Sequence, residues 1–340
     1  MASNRLSALR SFDDTKAGVK GLVDAGVTEV PAIFRHSPGA LAPSAVSTDD
    51  AIPVIDLSAC RSEVVAAVKA AAQTMGVFQV VKHGVPEADM SAMLSAARRF
   101  HEEPVEAKAR HYTRDAGRRV RYHCNTDLFR SPAARWRDTL YMDNPDELDA
   151  EVLPRACMGV APAYSRLMRR LGHDLFELLS EALGAPRGYL EEAGLMEALH
   201  VSAHYYPACP QPLLTLGSGK HSDSCCATVL LQDGVGGLQV LREDGEHGVW
   251  VNVRVVAGAL VVNVGDFMHL VSNGRFHSVV HRVVAKSVSP RISVACFFRG
   301  NGATVCAPVV GSGPPRYRSV TAEELLSSSS AQNNLSDLRI

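Results

Sequence analysis

Hydrophobic and polar positions change their period near Leu199. Before it, apolar residues recur at turn spacing over Ser62–Met75, Ala88–Phe100 and Ala161–Leu183, which predicts three amphipathic helices. Gly76 and Gly184-Ala185-Pro186 supply stops for the first and last. Ile52–Leu57 and Val77–Val81 read as short strands, the second ended by His83-Gly84. Ahead of them lie an amphipathic stretch over Lys16–Asp24 and a Pro- and Ser-rich run from Pro38 to Ser47, which reads as a linker or surface strap. After Leu199 short β-type runs follow in close succession: His200–Tyr206, Ala227–Leu231, Leu238–Leu241, Val249–Val253, Ala259–Val264, Ser278–Val284 and Ile292–Phe298. Gly, Asn and Asp punctuate them, the pattern of a sandwich or barrel-like β core. The expectation is helices mainly in the first half and strands in the second, with no internal repeat. Ser327–Ser330 is expected to be a small flexible patch.

Composition narrows the class. With 340 residues, 46% of them apolar, the chain can bury a sizeable core. A net charge of −1 gives no general attraction for nucleic acid or anionic membranes. None of the eight cysteines forms a C-x-x-C pair, which fits reduced thiols better than a disulfide scaffold. The N-terminus lacks the apolar core of a secretory signal, and the longest apolar run, Val255–Val264, is too short to span a bilayer. These features predict a cytoplasmic protein with no membrane or nucleic-acid partner.

Candidate chemistry concentrates in the β half. His221 and Asp223 are two apart, so on a strand both side chains would project from one face. Two imidazoles and one carboxylate form a facial triad suited to non-haem Fe(II), with open positions for substrate and oxygen; zinc is the competing metal. His277 and His281 are both available as the third ligand, and spacing does not choose between them. Arg291 and Ser293 are also two apart, within an apolar strand. A guanidinium and a hydroxyl presented together can hold a carboxylate, and an arginine there is costly to bury unpaired. The competing account is a structural ion pair with an acid such as Asp266.

An ordered series of segments resembles the plant 2-oxoglutarate- and Fe(II)-dependent dioxygenases, a family that includes flavonoid, gibberellin and alkaloid oxygenases and ACC oxidase. The series runs Tyr205–Pro212, His221-Ser222-Asp223, Leu230–Asp233, Gly236–Val240, Val262–Asp266, Ser278–Val283 and Arg291-Ile292-Ser293. Ile52–Leu57 and His83-Gly84-Val85 extend it through the first half. The resemblance implies a mainly β fold with flanking helices: a distorted double-stranded β-helix, or jelly roll, behind an N-terminal helical region. In segments, it implies an N-terminal extension over 1–50, an α/β region over 51–190, the catalytic core over 191–310 and a C-terminal piece over 311–340. It assigns iron to His221, Asp223 and His281, choosing His281 over His277, and the far carboxylate of 2-oxoglutarate to Arg291 and Ser293. Tyr206 matches the tyrosine that also contacts the co-substrate, and Phe297 matches a pocket aromatic. Phe129 and Cys225 are expected at the substrate pocket.

The resemblance further implies dioxygenase chemistry with O2, releasing succinate and carbon dioxide, on a small-molecule substrate, and a monomer. The N-terminal Ser11–Leu22 and the tail Asn334–Ile340 resemble the ACC-oxidase-homologue branch, whose members are similar to alkaloid and benzoxazinoid hydroxylases. Hydroxylation or O-demethylation of a plant specialised metabolite is therefore expected. The alternatives are an ACC-oxidase-type reaction with ascorbate as reductant and a catalytically silent small-molecule binder. Three positions depart from the family pattern: His204, Ser224-Cys225-Cys226 and His269. The expectation is that the cysteines line a pocket wall and that His204 is a hydrogen-bonded strand histidine. Trp136 and Trp250 are expected to serve packing.

Overall fold

The structure, a computed structural model, describes residues 2–41, 52–242, 248–309, 313–330 and 338–340. Twelve strands build its two principal sheets: β1 (Val54–Asp56), β2 (Val77–Val81), β3 (Val120–His123), β4 (Asp138–Asp143), β5 (Ala198–Tyr206), β6 (Leu216–His221), β7 (Ala227–Gln232), β8 (Leu238–Arg242), β9 (Val249–Asn252), β10 (Leu260–Val264), β11 (His281–Val284) and β12 (Arg291–Arg299). The larger sheet has the order β1-β2-β10-β7-β12-β5-β4-β3, and the smaller β6-β11-β8-β9. Neighbours are antiparallel apart from the β1–β2 pair.

The large sheet separates two environments by simple alternation. On β12, Val294, Cys296 and Phe298 join a core cluster shared with the helices Arg61–Thr74, Glu87–Glu102 and Ala161–Ala182. Approach is close: a Cβ at Gly172 would meet the Phe298 ring at 2.5 Å. The alternate residues, Arg291, Ser293, Ala295 and Phe297, turn toward the small sheet. There Ala295, Tyr206, Leu230 and Val261 pack with Leu238, Val240, Val251 and Val283 from β8, β9 and β11. The two sheets thus face one another over a partly polar interior.

All three expected helices and both early strands are present, within a few residues of their predicted ends. Several elements depart from expectation. β3 and β4 were not predicted; they come from the first half of the chain yet complete the same sheet as β5 and β12. β6 carries Gly217, Ser218, Gly219 and Lys220, too few apolar residues to read as a strand, and is held by its register with β11. The strand expected over Ser278–Val284 begins only at His281. Ser327–Ser330, expected as a flexible patch, lies in the helix Ala322–Ser330. Of the expected linker, Pro38–Leu41 is a short helix and the remainder falls outside the described residues.

The N-terminal helices Ala2–Asp14 and Gly18–Asp24 pack Leu9, Phe12 and Val19 against Trp136 and Leu128. Buried Asp138, at the start of β4, accepts from the amides of Val19 and Lys20, both at 2.8 Å, and so ties this strap to the sheet.

Candidate metal centre

The register of β6 with β11 sets His221 opposite His281. β6 ends at His221, so Asp223 is not its same-face strand neighbour, as spacing predicts. It lies in the turn that follows. That turn is fixed through its main chain: the Asp223 carbonyl accepts from the amides of Cys225 and Asp266, both at 2.9 Å. Gly265 sits against it so closely that a Cβ would lie 2.3 Å from the Cys225 oxygen and 2.7 Å from the Asp223 oxygen.

Asp223 Oδ1 lies 3.9 Å from His221 Nε2 and 3.6 Å from His281 Nε2. Ligand bonds of about 2.1 Å bridge donors at such separations. These three residues are the group among the described residues whose donor atoms converge, all within 4.8 Å of one another. Each ring donates its Nδ1–H to a main-chain carbonyl, His221 to Gly219 at 2.7 Å and His281 to Val279 at 3.3 Å. A carbonyl only accepts, so the Nε2 lone pairs are left free for a metal. Burial and the neighbouring His281 push the His221 pKa well below its ordinary value, which keeps it in the neutral, coordinating form.

The carboxylate has its own support. Thr228 Oγ1 on β7 donates to Asp223 Oδ2 at 2.7 Å, and Asn263 Nδ2 on β10 stands at 3.4 Å. Because the single Thr228 hydroxyl proton is committed to an acceptor, the Cys225 thiol at 3.3 Å must donate to Thr228.

Further along the same face Arg291 is buried, at 2% exposure. Its Nη1 donates to Ser293 Oγ at 2.9 Å, its Nη2 to Gln232 Oε1 at 3.2 Å, and its Nε has no partner. Among the described residues no carboxylate pairs with it. Asp266, the candidate ion-pair partner, accepts instead from Ser222 and Ser278. Tyr206 lies between Arg291 and Arg137, whose guanidinium carbons are 4.9 and 6.0 Å from its ring centroid. Burial opposes ionisation of Tyr206, yet the two guanidiniums outweigh it and lower the phenol pKa.

One cavity of about 550 Å³ holds His221, Asp223, His281, Arg291, Ser293 and Tyr206 on its walls, together with Phe297. Two expected pocket residues fall elsewhere. Cys225, 1% exposed, packs behind Asp223 against Thr228, and Cys226 belongs to the helix-side core. Phe129 is 42% exposed and meets the Arg114 guanidinium at 5.4 Å, outside the cavity lining. His204 does line the cavity as a strand histidine, its Nδ1 3.0 Å from Thr139 Oγ1, and is not part of the converging triad. His269 is structural, held by the Phe276 carbonyl and the Tyr317 hydroxyl, and His277 is exposed. Trp136 is fully buried and donates to the Pro207 carbonyl; Trp250 carries the Arg282 guanidinium at 4.2 Å over its ring. Sequence reasoning gave no role to Thr228, Asn263, Gln232, Arg135 or Arg137. Gln232 stood within the Leu230–Asp233 segment, but nothing in spacing links β7 to Arg291.

Comparison with known proteins agrees with this geometry. Residues 198–300 match the 2OG-Fe(II) oxygenase superfamily, and residues 52–160 match the N-terminal family of the non-haem dioxygenase in morphine synthesis. The chain is 46% identical to 1-aminocyclopropane-1-carboxylate oxidase homolog 1 of Arabidopsis thaliana, over 95% of this chain and 92% of that protein. It is 41% identical to deacetoxyvindoline 4-hydroxylase of Catharanthus roseus, over 94% and 84% respectively. Its fold is similar to that of JOX2, crystallised with 2OG, Fe and JA, at a TM-score of 0.80 and 27% identity, covering 90% of this chain and 91% of that one. Among the described residues no helix is long and apolar enough to cross a membrane. A converging His-Asp-His donor set, a buried arginine with no carboxylate partner among the described residues and relatives spanning both halves lead to one assignment: the chain belongs to the 2-oxoglutarate- and Fe(II)-dependent oxygenases, as a jelly-roll dioxygenase that uses both cofactors.

Proposed function

We propose that this enzyme oxidises a small plant specialised metabolite, by hydroxylation or O-demethylation, with release of succinate and carbon dioxide. The observation that carries the reading is the pairing, in one cavity, of the His221–Asp223–His281 donor set with Arg291, which has no carboxylate partner among the described residues. His221, Asp223 and His281 hold Fe(II), leaving positions for ligands on the cavity side. Arg291, Ser293 and Tyr206 anchor the far carboxylate of 2-oxoglutarate, the guanidinium supplying charge-assisted hydrogen bonds. Bound there, iron, 2-oxoglutarate and dioxygen supply the oxidising power, and the protein positions the substrate and shields the centre from bulk water. Phe297, on the wall of the same cavity, offers an aromatic face to the substrate. The named activity of the Catharanthus relative, a 4-hydroxylase, supports hydroxylation.

The test needs no substrate. Anaerobic metal-free protein is titrated with Fe(II) and then 2-oxoglutarate while visible charge-transfer absorption is followed. The band is expected in the wild type and absent in Arg291→Ala. Iron binding without it would point to ascorbate-dependent chemistry, and no iron binding to a silent binder. His221→Ala that left iron content and turnover unchanged would refute the ligand assignment.

A further inference from the structure

The more deeply placed charges of the cavity can be set against one another in turn, exposed Arg130 and half-buried Arg299 on its wall standing apart. On the proposed cofactor reading, on which this inference rests, Fe(II) contributes two positive charges and Asp223 one negative. Dianionic 2-oxoglutarate and Arg291 then bring that half of the cavity to neutrality. Nearer the N-terminal strands, Arg135 pairs with Asp127 at 3.1 Å. Arg137 is left over. It immediately precedes β4, lines the same cavity and is only 6% exposed. No carboxylate lies within ion-pair distance of it among the described residues, and its Nε has no hydrogen-bond partner. Tyr206 is its neighbour on one side, with the ring centroid 6.0 Å away and the hydroxyl accepting a hydrogen bond from the guanidinium, a partner that brings no carboxylate. His204, whose imidazole burial and the two arginines hold neutral, supplies no compensating charge. A buried, unbalanced guanidinium is costly in a protein that gains nothing from it.

We infer that Arg137 is the anchor for a carboxylate on the oxidised substrate, which is therefore an organic acid with an apolar body. The guanidinium fork matches a planar carboxylate, and Leu230, Leu238, Val283, Ala295 and Phe297 give the rest of the molecule an apolar wall. A single negative charge on the substrate offsets the Arg137 guanidinium. Arg137 is distinct from the co-substrate arginine: it reaches Tyr206 from the β4 side, whereas Arg291 reaches it from β12.

The test uses full-length protein loaded anaerobically with Fe(II) and 2-oxoglutarate, titrated calorimetrically with 3-phenylpropanoate and with its neutral twin, 3-phenylpropanamide. The acid is expected to bind about tenfold or more tighter than the amide. Arg137→Met abolishes that preference, shifts 2-oxoglutarate affinity by less than about twofold, and raises the melting temperature of the ligand-free protein, because a buried charge has been removed. Arg137→Lys retains part of the preference. Equal affinity for acid and amide, including failure of both to bind in the millimolar range, overturns the inference. So does a lowered melting temperature in Arg137→Met with the acid preference intact, which would make the residue structural. A tenfold or greater loss of 2-oxoglutarate affinity in that variant would reassign Arg137 to the co-substrate. Absence of the charge-transfer band in the wild type, before any acid is added, would instead mark failure of the cofactor reading and remove the charge balance with it.

Discussion

Thr228→Val isolates one hydrogen bond behind the metal site. The substitution keeps the shape and β-branching suited to β7 but removes the hydroxyl that donates to Asp223 Oδ2 at 2.7 Å. Asn263, at 3.4 Å, then remains as the long-range donor to that oxygen, and the Cys225 thiol loses its acceptor. Asp223 is 6% exposed, so water does not readily replace the lost partner. A hydrogen bond to a charged group is worth about 1.5–3 kcal/mol, which sets the expected loss of folding stability. For the metal the consequence is positional, because Oδ1 faces the imidazoles only while Oδ2 is held. Losing such a supporting partner typically weakens a metal by about 10–100-fold. Anaerobic competition for Fe(II) against a calibrated chelator measures the affinity, and thermal melts of metal-free protein measure stability. Thr228→Ser, which restores a hydroxyl, is expected to recover most of both. An Fe(II) affinity for Thr228→Val within about twofold of wild type would refute the reasoning, showing that the turn's main-chain bonds alone place the carboxylate.

Other perturbations have equally defined outcomes. Arg291→Lys keeps the charge but cannot fork between Ser293, Gln232 and a carboxylate, so 2-oxoglutarate should bind roughly tenfold or more weakly in a charge-transfer titration while Fe(II) affinity holds. Gly265→Ala drives a Cβ against two main-chain oxygens of the Asp223 turn; iron affinity should fall, with about 1–3 kcal/mol of stability lost in denaturant melts. Asp138 is fully buried, and burial pushes its pKa up to about 6 despite the two amides that lower it. The folded form therefore holds its proton more tightly than the unfolded chain, so this stabilisation is complete below the unfolded carboxyl pKa and is lost as pH rises through about 6. The unfolding free energy of wild type relative to Asp138→Asn should accordingly fall by on the order of 2–3 kcal/mol between acid and neutral pH; a pH-independent difference would count against it.

Local pattern alone carried much of this protein. The helices Arg61–Thr74, Glu87–Glu102 and Ala161–Ala182 were legible because each buries one face, and a buried face must repeat at the helical period. β2, β5, β7, β10 and β12 were legible as dense apolar runs because the large sheet is covered on both sides where they lie. The candidate ligands and the Arg291–Ser293 pair were legible because these residue types are conspicuous in such runs, and the ordered resemblance chose among them. Tertiary structure decided the rest, where no short-range signal exists. β6 exists through pairing with β11, not through its own glycine- and lysine-containing composition. Asp223 meets the histidines because the Asp266 amide and Gly265, some forty residues away, clamp its turn. Cys225 was expected in the pocket and lies behind it, because a turn, unlike a strand, gives no alternation from which facing can be read. Arg137 became significant only once the folded chain placed it, buried and with no carboxylate beside it among the described residues, on the cavity wall, a property of the assembled cavity and of no single stretch of chain.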